Sequence, residues 1–150
     1  MTFNIRITGS QARLQLDWGV AARQWSSSVG PVVRSALMDR APVGKGPGAG
    51  RLRNSIRYEQ QSGPGSLRLT YTANTPYAGF VLSGTRPHVI QARNARALRF
   101  TSGGQVRFAF RVNHPGTRPN RFPERALEPL MPMVQQRFRE IVTDQLRSRP

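Results

Sequence analysis

Phe3, Ile5 and Ile7 alternate with Asn4 and Arg6, the period-two pattern of a half-buried strand, which Gly9-Ser10 closes. Leu14, Leu16 and Trp18 fit either a returning strand or a helix capped by Ser10; the helical reading begins between Ser10 and Asp17. Ala21, Ala22, Trp25, Val29, Val32, Val33, Ala36 and Leu37 then recur at helical spacing to about Arg40. Gly30-Pro31 interrupts that run and predicts two helical pieces or one bent helix. Trp18 and Trp25, seven apart, share the face by which such a helix docks on a sheet. From Asn54 the period changes to two. Ile56 to Gln61 and Leu67, Leu69 and Tyr71 predict paired strands joined by a longer loop, Ser62-Gly63-Pro64-Gly65-Ser66. Tyr77 to Leu82 predicts a helical turn after Pro76, and Val89-Ile90 and Leu98 to Phe100 two short strands. The clearest alternation is Val106 to Val112, which predicts Val106, Phe108, Phe110 and Val112 against a core with Arg107 and Arg111 on the other side. Ser102-Gly103-Gly104 predicts its tight hairpin with Leu98 to Thr101. After Pro123, Leu127, Leu130, Met131, Val134, Phe138, Ile141, Val142 and Leu146 form a helical stripe. Pro129 and Pro132 place the start of the continuous helix between them, with its end near Arg147. The expected class is α+β: a small antiparallel sheet of about four or five strands, packed by an N-terminal helical region and a long C-terminal helix.

Composition narrows this picture. A chain of 150 residues predicts one domain over 1–150 with a core of useful size, and a flexible Gly/Pro loop at 44–50. The absence of cysteine excludes disulfides and thiolate metal sites, and two histidines with seven acids leave little for another metal centre. No cofactor is expected. No apolar run has membrane-spanning length and no leader is evident, so the expectation is a soluble protein made in a cytoplasm. Charge changes the picture most: 23 basic residues, of which only Lys45 is not arginine, oppose seven acids for a formal +16. Between Gln60 and Pro123 there are nine arginines and no acid, which points to a polyanion or an acidic protein partner.

The acid-free middle also contains a repeat. Gly84-Thr85-Arg86-Pro87 recurs as Gly116-Thr117-Arg118-Pro119, and each copy is a turn by local chemistry: glycine frees the backbone, and proline bars the preceding arginine from helical geometry. His88 follows the first copy and His114 precedes the second, both read as lying outside regular elements. The two histidines can meet across the turns and, with the arginines, imitate a basic ribonuclease site; the competing reading is two turn residues bonded to backbone. No acid pair, Ser-His-Asp set or metal-binding helix is evident, so no catalytic residue is assigned and the protein is read as non-enzymatic. Gly44-Lys45-Gly46 does not meet the phosphate-loop pattern. Non-specific phosphate binding is the stronger nucleic-acid reading, because no helix-turn-helix and no platform of strand-borne aromatics flanked by basic residues is recognised.

The run Pro76-Tyr77-Ala78-Gly79-Phe80-Val81-Leu82-Ser83-Gly84-Thr85-Arg86-Pro87-His88-Val89-Ile90, with His114-Pro115-Gly116-Thr117-Arg118-Pro119-Asn120-Arg121-Phe122-Pro123 and Ala126-Leu127, resembles the tail-completion proteins of long-tailed bacteriophages. That family includes the minor tail protein Z of phage lambda and its Hong Kong 97 equivalent. Ala41-Pro42-Val43 and Gly50-Arg51-Leu52-Arg53-Asn54-Ser55-Ile56 resemble the same family's helix-to-strand passage, although Gly44 to Ala49 is longer and more basic than the family's linker. The resemblance implies a structural virion protein of the head-to-tail joint, a subunit of a ring, most simply hexameric, that links the capsid portal complex to the tail tube around the DNA channel. Its implied partners are further copies of itself, head-closure, tail-terminator or tail-tube proteins, and non-specific contact with genomic DNA, with no membrane. Arg86, His88, His114, Arg118 and Arg121 are then candidates for subunit contacts, and Arg93, Arg96, Arg99, Arg107 and Arg111 for facing the lumen or an acidic partner. The alternative is a free, sequence-nonspecific nucleic-acid-binding protein.

Overall fold

The computed structural model describes residues 2–8, 17–45 and 47–148, and the chain divides into two compact units, Met1–Ala78 with Arg121–Pro150, and Gly79–Asn120. The class is α+β, and every strand pairing is antiparallel.

In the first unit, strands β1 (Thr2–Thr8), β2 (Ile56–Gly63) and β3 (Ser66–Ala73) form a sheet in the order β1-β3-β2. Register sets Ile5 opposite Leu69 and Tyr58 opposite Tyr71, so one face of the sheet collects the apolar side chains. Along β3 burial alternates strictly: Leu67, Leu69, Tyr71 and Ala73 are buried and their neighbours half-buried. The β2–β3 turn is only Pro64-Gly65, with Gly65 at φ 69, shorter than the five-residue loop the sequence suggested. Proline fixes the first corner position and glycine takes the left-handed second, which lets the strands run up to Gly63 and Ser66.

Helix α1 (Trp18–Arg40) lies against that face. The Asp17 carboxylate caps it, accepting from the Val20 amide at 2.9 Å; the stretch 9–16, where a hairpin or a Ser10 cap was in question, lies outside the described residues. Trp25, Val29, Val33 and Leu37 recur every four residues and are all buried, while Trp18 is half-buried and Val32 exposed. Of the two outcomes expected at Gly30-Pro31, two pieces or one bent helix, the chain forms a single helix that contains Pro31. Gly30 is where the helix presses onto the sheet: a Cβ there would stand 2.4 Å from the Tyr58 ring, and the Gly30 carbonyl accepts from the Tyr71 hydroxyl at 3.3 Å. Arg34 adds a second tie, its Nε donating to the Ile56 carbonyl at 2.8 Å.

A short helix α2 (Arg51–Asn54) precedes β2, entered through Gly50 at φ 78; Gly46, within the loop expected to be flexible, lies outside the described residues. Near the C-terminus, α4 (Phe122–Leu127), a 3₁₀ turn (Glu128–Leu130) and α5 (Met131–Arg147) follow one another. Proline sits in the first turn of each, where its missing N–H leaves no bond unmade, so α5 begins between Pro129 and Pro132 as the sequence predicted. Phe122 is buried and meets Phe3 edge to face at 6.1 Å. The helix packs against α1, and the Trp25 indole N–H donates to the Val134 carbonyl at 3.4 Å. Val134 alone of the α5 stripe is fully buried.

The second unit is a β-arm. It carries most of α3 (Ala78–Ser83), then β4 (His88–Gln91), β5 (Leu98–Ser102), β6 (Gln105–Ala109) and β7 (Arg111–His114), with β4 paired to β7 and β5 to β6. Among the described residues, the expected single sheet of four or five strands is instead a three-stranded sheet and two two-stranded ribbons. Gly103 and Gly104, at φ 62 and 78, make the tight β5–β6 turn, both in the left-handed region that a type I′ corner requires. The continuous strand Val106 to Val112 is broken at Phe110, and its apolar side does not face a core: Val106, Phe108 and Phe110 are exposed and Val112 half-buried. Within Gly79–Asn120 only Gly84 and Ala92 are buried.

Candidate interaction site on the paired turns and the arm

The two Gly-Thr-Arg-Pro copies meet. Thr85 and Thr117 form an antiparallel bridge, each amide donating to the other's carbonyl at 3.0 and 3.1 Å. Their hydroxyls lie 3.1 Å apart, and the Thr117 amide also reaches the Thr85 hydroxyl at 3.0 Å. This bridge continues the β4–β7 ladder, since Thr85 with Thr117, His88 with His114, Gln91 with Arg111 and the Ala92 amide on the Phe110 carbonyl all keep one register. Glycine is required at both corners. Gly84 and Gly116 have φ 71 and 88, and a Cβ on either would stand 2.3 Å from the other copy's threonine carbonyl. The Asn120 amide donates to the Val81 carbonyl at 3.0 Å and closes the end of the unit.

His88 and His114 do belong to regular elements, opening β4 and closing β7, and their rings lie 5.0 Å apart, tilted by 33°. Each is also bonded to backbone. His88 Nδ1 lies 2.8 Å from the Arg86 carbonyl, which only accepts, so Nδ1 carries the proton; His114 Nδ1 accepts from the Gly116 amide at 3.0 Å, so its proton is on Nε2. The pair thus stiffens the corners with opposite tautomers. A carboxylate to orient either ring is missing from the unit, whose sequence contains none. Among the described residues no three His, Asp or Glu side chains are grouped to hold a metal ion.

Arg86 and Arg118 are exposed, each displayed by its proline-fixed corner, and neither guanidinium has a hydrogen-bond or ion-pair partner among the described residues. Arg86 and His88 line a cleft of about 590 Å³ with Phe80, Ser83, Thr85 and Pro87. Phe80, part of the apolar turn predicted after Pro76, is 62% exposed there. Arg93, Arg96, Arg99, Arg107 and Arg111 are all exposed on the arm. Arg121 belongs to the first unit, as the residue before α4. Comparison with protein-family models, curated proteins and solved structures returned no match.

The arm also holds what the sequence reading missed: exposed strand-borne aromatics set among arginines. Cross-strand pairing places Phe108 opposite Arg99 on one face of the hairpin and Phe100 opposite Arg107 on the other. Phe108 and Phe110 are 68% and 62% exposed. The alternation was visible in the sequence, but period two marks a face without saying what covers it. The observed ion pairs lie in the first unit, Arg53 with Asp39 at 3.1 Å and Arg137 with Glu140 at 2.8 Å. Glu140 is held below the usual carboxylate range by hydrogen bonds from Gln136 and Arg137, so α5 uses that acid internally. The arm's seven arginines find no carboxylate within their own unit. A cleft of about 340 Å³ in the first unit, lined by Arg51, Asn54 and Tyr77, includes Thr75, whose buried hydroxyl has no hydrogen-bond partner.

Proposed function

We propose that this chain is a structural, non-enzymatic subunit of the head-to-tail joint of a long-tailed bacteriophage, a tail-completion or neck component that assembles as a ring. The observation that carries the reading is the arm, whose sequence includes most of the resemblance to that family. It buries no large apolar side chain, yet it is pinned by a doubly bonded pair of glycine-dependent corners that display Arg86 and Arg118. A segment so ordered and so poorly covered suits a surface completed by a neighbour. Head-to-tail contacts between copies close a ring where the rotation permits, and sixfold closure follows from the resemblance. At such contacts Arg86 and Arg118 pair with a carboxylate or backbone carbonyls of the next subunit.

Mass determination tests this on the full chain, alone and mixed with purified portal-bearing heads or tail tubes. The expected result is a closed oligomer, sixfold in the simplest case, formed alone or on the assembled structure. A chain that stays monomeric in both settings overturns the reading.

A further inference from the structure

We infer that the arm Gly79–Asn120 binds single-stranded nucleic acid, stacking bases on Phe108 and Phe110 and holding phosphates through Arg99 beside them, within the positive field of the arm's other arginines. The inference does not rest on the ring reading.

Three observations on the same two strands carry it. The first is charge: the arm has seven arginines and neither aspartate nor glutamate, so its field is uniformly positive. The second is exposure, because phenylalanines at 68% and 62% are hydrophobic faces with no protein over them. The third is their arrangement. Phe108 stands opposite Arg99 on one face of the hairpin, while Arg107, paired with Phe100, lies on the other and adds only to the field. An exposed ring with a guanidinium directly across from it on an open, acid-free ribbon fits a strand whose bases and phosphates lie side by side, and stacking asks for no particular base. An acidic protein would satisfy the arginines, but carboxylate side chains offer no flat face to the rings. A closed duplex offers phosphates but keeps its bases stacked on one another. Arg93 and Arg96, in the exposed loop between β4 and β5, extend the positive track.

Fluorescence anisotropy of the full chain tests the inference with three labelled probes: an oligothymidylate of about twenty nucleotides, a duplex of the same length and a polyglutamate peptide. The oligothymidylate should bind tightest. Phe108→Ala and Phe110→Ala should each weaken it by roughly tenfold or more, leaving the dependence on salt unchanged. Arg99→Ala should instead reduce the slope of log affinity against log salt by about 0.7 for the phosphate left without its arginine. Phe108→Trp should retain binding. Both phenylalanines are exposed, so truncation leaves the core intact, and an unchanged thermal transition verifies this. Wild-type affinity in both alanine variants, duplex binding as tight as single-strand binding, or preference for polyglutamate overturns the inference. Mass measurement on the same samples scores ring formation separately, so either idea can fail while the other stands.

Discussion

Tyr71 carries the largest electrostatic perturbation described in the molecule, and it does so as a structural residue. Burial against α1 pushes its phenol well above the ordinary tyrosine value of 10.0, and the neighbouring Tyr58 adds to the shift. The native state therefore keeps the proton where the unfolded chain loses it. The associated stability is full below about pH 10 and falls as pH rises toward the higher folded value. Denaturant titrations at pH 8, 10 and 11 should show that decline, and Tyr71→Phe should flatten it while losing about 0.5–1.5 kcal/mol with the hydrogen bond to Gly30. At the paired corners, Gly84→Ala forces a side chain into the left-handed region, about 1–2 kcal/mol by itself, and drives its Cβ onto the Thr117 carbonyl. The Thr85 and Thr117 amides should then exchange much faster with solvent, and Gly116→Ala should do the same through Thr85; unchanged exchange would show that the corners are held by something else. Turn chemistry at these positions was readable in the sequence because glycine and proline restrict the backbone locally. That the copies bond to one another was not, since a repeat states likeness and says nothing of distance.

At the level of elements, strand and helix positions were largely legible from periodicity, and the misreadings occur where pairing rather than propensity decides. Ser62 and Ser66 look like loop residues, yet β2 and β3 extend through them because Pro64-Gly65 suffices to turn the chain. Pro31 left two pieces or one bent helix open, and α1 is a single helix that contains it. The arm gives the clearest case. Its inner ladder pairs residues whose numbers sum to 202, from Thr85 with Thr117 to the Ala92–Phe110 bond, whereas β5 and β6 pair at 207, from Leu98 with Ala109 to Ser102 with Gln105. The five-residue difference is the segment 93–97, an extended bulge on one strand only, and the opposite strand bends where it meets that bulge, at Phe110. Removing 93–97 sets Leu98 next to Ala92 and brings both ladders into one register. The deletion should therefore fold with an uninterrupted ribbon, in which the Phe110 to Val112 amides exchange more slowly than in the parent chain. Faster exchange there would mean that the bulge supports the ribbon rather than interrupts it.

Across the whole molecule, stabilising burial is distributed unequally between the two units. Trp25, Leu37, Leu52, Ile56, Leu69, Tyr71 and Phe122 are buried in the first unit, while no side chain larger than alanine is buried in the arm. An isolated two-stranded ribbon is marginal in water because its hydrogen bonds exchange with solvent and no apolar face is covered. Hydrogen exchange on the free chain should thus divide it, with amides of β3 and the middle of α1 protected by the full unfolding free energy and those of β4 to β7 by far less. Adding a partner distinguishes the kinds of cover. If copies of the chain complete the arm, protection at His88–Gln91 and Arg111–His114 rises on assembly and persists in high salt, because apolar contacts and paired backbone survive screening. If nucleic acid completes it, protection centres on Arg99 to Arg111 and is lost as salt is raised. Both patterns can coexist, since the paired corners and the Phe108 hairpin are different stretches of the arm. Protection of the free arm equal to that of β3 would remove the physical ground for either partner, because a segment stable by itself needs no surface to finish it.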